Sequence, residues 1–113
     1  MNTRILATVF FTLLLGSTNA LAAAGKVSIS FPKNGATFTT NDDIVLHYAA
    51  VPGPNGNHLH LVVDGSKVDE IYQLNGTEDV GTLGSGKHHI CLAISNAAHI
   101  PTGVEGCIDV TVK

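Results

Sequence analysis

From Lys87 to Ser95 the side chains alternate strictly: His88, Ile90, Leu92 and Ile94 fall on one parity, and His89, Cys91, Ala93 and Ser95 on the other. The pattern returns from Gly106 to Lys113, where Ile108, Val110 and Val112 alternate with Cys107, Asp109 and Thr111. A period of two is the side-chain repeat of a β-strand, and an α-helix would scatter these aliphatic residues around its circumference. No stretch after Ala24 keeps a helical period over three turns, so the chain reads as all-β. Shorter alternating runs occupy Val27–Phe31, Ile44–Ala50, His58–Asp64, the neighbourhood of Val68–Leu74 and, more weakly, Thr77–Leu83. Between them lie turn-forming clusters: Pro32-Lys33-Asn34-Gly35, the Pro/Gly-rich Val51–Asn57, Gly65-Ser66-Lys67 and Asn75-Gly76. About seven short strands in roughly 90 residues predict a small immunoglobulin-like antiparallel β-sandwich, with a barrel as the alternative. Parity assigns Leu59, Leu61, Ile90, Leu92, Ile94, Ile108, Val110 and Val112 to its core.

The amino terminus does not share this pattern. Arg4 precedes an apolar run from Ile5 to Leu15, and small residues follow through Ala24, with A-x-A sites ending at Ala22 and Ala24. This is the layout of a secretory signal peptide rather than a membrane span. Residues 1–24 are accordingly read as a signal peptide and 25–113 as one exported domain, periplasmic or secreted. The formal charge of −3 supplies no basic field for a phosphate backbone, so nucleic acid is not expected as a partner. Cys91 and Cys107 are the only cysteines. An even count in an exported chain favours a disulfide, and both lie on the parity opposite the aliphatic residues. A cross-strand bridge on the outer face of one sheet is expected, contributing ~3 kcal/mol in the chain-entropy description.

Six histidines, at positions 47, 58, 60, 88, 89 and 99, are the one concentration of chemically versatile side chains. His58 and His60, two apart on a strand, point the same way at a spacing of about 6–7 Å, from which two imidazoles can converge on one ion. In a sandwich of this type the loop before that strand and the loop between the last two strands meet at one end, which brings His99 to them. The expected metal set is therefore His58, His60 and His99, with His88 a weaker candidate and Asp64 or Asp69 as possible oxygen donors. His88 has the parity of the core, where it would donate to a loop carbonyl and pin the strand entrance. His47 belongs to the opposite sheet, and His89 is read as a surface residue. Imidazole ligation favours copper(II) or zinc(II). With no G-x-S-x-G, H-E-x-x-H or phosphate-binding loop, no catalytic residue is assigned and the chain is not read as an enzyme. The alternative to a metal-binding domain is a non-catalytic contact module that uses the Val51–Asn57 and Asn96–Glu105 loops.

Three ordered motifs carry a resemblance: N-H-L-H-L-V-V-D at 57–64, L-G-S-G-K-H-H-I-C-L at 83–92 and A-H-I-P at 98–101. Together they resemble a bacterial family of exported immunoglobulin-like domains of unknown function. The likeness spans most of residues 27–113. It implies the same fold and singles out His58, His60, Asp64, Gly86, Lys87, His88, His99 and Pro101. This chain departs from the family at Leu59, where a third consecutive histidine is usual, in lacking a histidine shortly after Pro101, and in carrying the cysteine pair.

Overall fold

The computed structural model describes residues 24–113; the expected signal peptide, apart from Ala24, lies outside the described residues. Among the described residues there are eight strands: β1 (Lys26–Phe31), β2 (Ala36–Phe38), β3 (Ile44–Val51), β4 (His58–Val63), β5 (Ser66–Ile71), β6 (Asn75–Gly81), β7 (Gly86–Ser95) and β8 (Pro101–Val112). They form two sheets, ordered β1-β3-β6 and β2-β8-β7-β4-β5. All neighbours are antiparallel except β2 and β8. No helix among them is long and apolar enough to cross a membrane. The chain is thus an all-β, immunoglobulin-like sandwich, with one strand more than the sequence suggested. The addition is the three-residue β2, too short to display a period of its own.

All eight residues that parity assigned to the core are buried, none more than 5% exposed. Ile44, Leu46, Tyr48 and Ala50 of β3 face them from the other sheet. The inner faces alone supply this core, because the pleat sends alternate residues of every strand between the sheets. Gly106 pairs with Leu92 and therefore faces inward. A Cβ there would lie 2.7 Å from the Val27 carbonyl oxygen, so the missing side chain is what lets β1 pass this close over β8.

One side chain changes face and two expected boundaries move, each for a local reason. Phe31 shares the parity of Val27 and Ile29, yet a register shift after Ile29 turns it out to 51% exposure, edge-on to the His47 ring at 5.5 Å. The Asn75-Gly76 turn is instead the start of β6, paired with Ala49 and Tyr48. The chain bends earlier, at residues 72–74, because β5 and β6 belong to different sheets and no hairpin joins them. Tyr48 Oη donates to the Gln73 carbonyl at 2.7 Å, and Ala50 N–H to that of Leu74 at 2.8 Å, fixing the crossing. Finally, β8 begins at Pro101, so the last hairpin loop is only residues 96–100 instead of the expected Asn96–Glu105. Proline is tolerated there because it opens the strand.

Two turns then set the positions of the histidines. Asp64 and Gly65, both with positive φ (51° and 83°), make the two-residue turn between β4 and β5. In the β7–β8 loop, Asn96 Oδ1 accepts from the backbone N–H groups of Ala98 (2.9 Å) and Ile100 (3.0 Å), while His99 N–H donates to the Asn96 carbonyl at 2.9 Å. His99 takes the left-handed position, with φ of 62°. Asparagine side chains favour such loops, and histidine is among the residues that accept this conformation.

Candidate metal centre

His58 and His60 project from the outer face of β4, where side chains are ordinarily wet. Both are buried, at 1% and 8% exposure. The cover is built from neighbours on that face. Tyr72, in the crossover after β5, stacks on the His58 ring with centroids 4.7 Å apart and an interplanar angle of 16°. His99 reaches over from its loop, 4.7 Å from the His58 ring in an edge-on arrangement and 5.7 Å from that of His60, nearly parallel. Ser95 pairs with His58 in the ladder, so it shares the outer face; its hydroxyl is buried and has no hydrogen-bond partner.

One ring nitrogen from each of His58, His60 and His99 lies within 4.8 Å of the others. His58 Nδ1 is 3.0 Å from Asn57 Oδ1 and donates to it, which leaves Nε2 of His58 with its lone pair. That nitrogen faces His60 Nε2 at 2.9 Å, so the two rings share one proton between them. His99 Nδ1 stands 3.4 Å from Glu70 Oε1. A proton given to that carboxylate frees His99 Nε2, the arrangement by which a carboxylate commonly orients a ligating imidazole. The same Glu70 oxygen accepts from Lys67 Nζ at 2.6 Å, and this hydrogen bond holds the Glu70 carboxyl below its usual range. His60 is pushed below the ordinary imidazole value, first by burial and then by the charges of His58 and Lys67. It is therefore neutral at neutral pH, the form that binds metal. Tetrahedral ligation at about 2.0–2.1 Å would separate ligand nitrogens by about 3.3 Å, so an ion would need His58 and His60 to part by only about 0.4 Å.

The remaining histidines fall elsewhere. His88, the weaker candidate ligand, is not in the cluster. Its Nδ1 donates to Asp64 Oδ2 at 2.6 Å and its Nε2 to the Gly84 carbonyl at 2.7 Å. Acceptors at both nitrogens favour the doubly protonated ring; the Asp64 hydrogen bond and then the Gly84 carbonyl raise it above the ordinary value. A metal would have to displace one of these two acceptors, and the residue pins the entrance of β7 as its parity suggested. His47 lies on β3 in the other sheet. Neither acid considered as an oxygen donor joins the site: Asp64 is engaged by His88 and by the His89 N–H, and Asp69 is hydrogen-bonded to Glu78. The carboxylate that does reach it is Glu70, opposite His60 in the ladder. Asn57, Glu70 and Tyr72 were not singled out by the sequence, though Asn57 immediately precedes the His-x-His pair.

The cysteines form the expected disulfide, Cys91–Cys107, between directly paired residues of β7 and β8. His89 lies with them in a second close group of metal-ligating residue types. Both sulfurs are committed to the bond, so this is no ligand set as it stands.

No family model matches the chain, and no curated protein does so. Among solved structures it is similar to the fibronectin(III)-like modules of Clostridium thermocellum CbhA, with a TM-score of 0.64 at 15% identity, covering 77% of this chain and 96% of that one. The likeness is one of fold: an immunoglobulin-like sandwich.

Proposed function

We propose that this is a small exported domain that binds copper(II) or zinc(II) through His58, His60 and His99, and that it is not an enzyme. The observation that carries the reading is the convergence of three imidazoles from β4 and the β7–β8 loop, with their ligand nitrogens within 4.8 Å. Asn57 on His58 and Glu70 on His99 are the kind of partners that fix the tautomer of a ligating ring. The unpartnered Ser95 hydroxyl beside His58 is a group whose desolvation a bound ion with its water would offset. Three histidines leave a fourth position open for solvent or another ligand, and the affinity order among divalent ions favours copper. The motif likeness to exported bacterial domains and the disulfide support an oxidising compartment.

Titration of the chelator-treated protein with copper(II) and zinc(II), followed by calorimetry, tests the reading. One equivalent should bind, and affinity should fall as pH is lowered and protons compete for the ring nitrogens, since only the neutral ring coordinates. His60→Ala should abolish binding, while His47→Ala and His89→Ala should leave it within about threefold. Full affinity in His60→Ala, or an equal loss in all three variants, would overturn the assignment in favour of adsorption by scattered imidazoles.

A further inference from the structure

A second constellation surrounds the disulfide and owes nothing to the histidine cluster. His89 is two residues before Cys91 on β7 and shares its outward parity; its Nε2 lies 3.2 Å from Cys91 Sγ. The other ring nitrogen, Nδ1, donates to Asp109 Oδ1 at 2.7 Å. Asp109 is the direct ladder partner of His89, as Cys107 is of Cys91. Both backbones are tied down by further side chains. Asp109 N–H donates to Asn34 Oδ1 at 2.8 Å, and His89 N–H to Asp64 Oδ1 at 2.8 Å. A carboxylate thus orients an imidazole whose free nitrogen is aimed at one sulfur of the bond. A bridge that serves only as a staple needs no such group. Thiol–disulfide exchange does, because the departing sulfur leaves as a thiolate and a neighbouring cation speeds its departure.

We propose that Cys91 and Cys107, with His89 and Asp109, form a redox-active pair that exchanges electrons with an external dithiol. The two sulfurs have distinct roles. Cys107 is the more exposed, whereas Cys91 is buried at 5% exposure against His89. One thiol of the dithiol ionises, and its thiolate attacks Cys107 Sγ. The Cys91–Cys107 bond breaks, leaving a mixed disulfide on Cys107 and a thiolate on Cys91. The proton lost by the attacking thiol is held at His89 Nε2, which donates to the Cys91 thiolate while Asp109 holds Nδ1–H. The second thiol of the dithiol then gives up its proton and attacks its own partner sulfur; the sulfur–sulfur bond to Cys107 breaks, and the departing Cys107 sulfur takes up that proton and leaves as a thiol. The dithiol is oxidised to a disulfide by two electrons, and the protein pair is reduced by the same two. Run backwards, the sequence oxidises the pair with an external disulfide. The other charged groups near the pair are Glu105, one pleat from Cys107 on β8, Lys87, one pleat beyond His89 on the same face of β7, and Asp64 and Lys67 flanking the turn beside β7.

The test uses the full chain, with dithiothreitol as the dithiol and quenched alkylation read by mass spectrometry. His89→Gln should slow reduction about tenfold, and Asp109→Asn should slow it by less. In the reduced protein, thiolate absorbance against pH should show one thiol ionising below the ordinary cysteine range, and His89→Gln should return it to that range. Glutathione should be trapped on Cys107. Reduction within twofold of wild type in His89→Gln, with an unchanged thiol titration, would overturn the proposal and leave the bridge an inert staple. Trapping on Cys91 would overturn the assigned roles. Metal binding at the histidine cluster is read separately, so failure of either assignment leaves the other standing.

Discussion

Replacing Glu78 with Gln should leave stability unchanged at about pH 4 and raise it at about pH 8. Glu78 of β6 pairs with Leu46 of β3, and Asp69 of β5 with Leu61 of β4, so both carboxyls carry the inward parity of a buried partner. Each sits on the edge strand of its sheet, and the two meet where the sandwich is open. Burial first, and then the hydrogen bond and charge of Asp69, push Glu78 up to about 7. Asp69 moves the opposite way, held down by the hydrogen bonds from Glu78 and the Glu70 N–H. A carboxyl raised on folding adds stability that is complete below its unfolded value near 4.5 and is lost as pH rises through its folded value near 7. That displacement corresponds to at most roughly 3 kcal/mol at about 1.36 kcal/mol per pH unit. Asp69 is solvent-exposed and screening reduces the figure, so a gain of about 1–2 kcal/mol is expected for Gln at about pH 8. The Gln amide donates to Asp69 at every pH and carries no charge to bury. Urea unfolding of both proteins, with the disulfide intact, at about pH 4, 6 and 8 measures the difference. A stability difference independent of pH, or a Gln variant less stable at about pH 8, would refute the reasoning.

Two further outcomes follow from the packing and from the second histidine environment. Leu92, fully buried between the sheets, should cost about 2–5 kcal/mol when replaced by Ala; a loss below about 1 kcal/mol in urea would show that the site collapses around the smaller side chain. His88, raised by Asp64 and Gly84, should stabilise the fold fully below about pH 6.5 and lose that contribution as pH rises through its folded value, so the advantage of wild type over His88→Asn should shrink in alkaline urea melts.

The inner faces were legible because burial between two sheets imposes a period of two, and every core residue chosen by parity is buried. The His58, His60 and His99 cluster was legible for a related reason: strand parity and the meeting of loops at one end of a sandwich are both properties of the topology. What escaped was local. Asp64-Gly65 is a two-residue turn, and a regular hairpin built on it would place Asp69 opposite His60. A register shift between Leu61 and Val62 puts Glu70 there instead, exchanging one carboxylate for another at the site. A bulge adds one residue to one strand and leaves no periodic trace in so short a run. Tyr72 escaped because the strand expected through Leu74 ends at Ile71, which leaves Tyr72 in the crossover, where strand parity no longer decides its face. Phe31 was displaced by the same kind of irregularity after Ile29.

His60 and His88 lie on adjacent strands of one sheet, and their surroundings push them in opposite directions. His88 is enclosed by acceptors, the Asp64 carboxylate and the Gly84 carbonyl, and both interactions favour the cation. His60 is disfavoured as a cation first by its burial, and the neighbouring His58 and Lys67 add to the effect. Lowering the pH through the imidazole range therefore strengthens one end of β4's neighbourhood and weakens the other. The same contrast decides which histidines are free for chemistry. A ring whose two nitrogens both donate has nothing left to offer, whereas rings that face one another through their nitrogens need something positive between them. At 2.9 Å, His58 and His60 satisfy that need with a single shared proton. A metal ion bound there would replace it, and this competition between proton and ion is the physical origin of the pH dependence expected for binding.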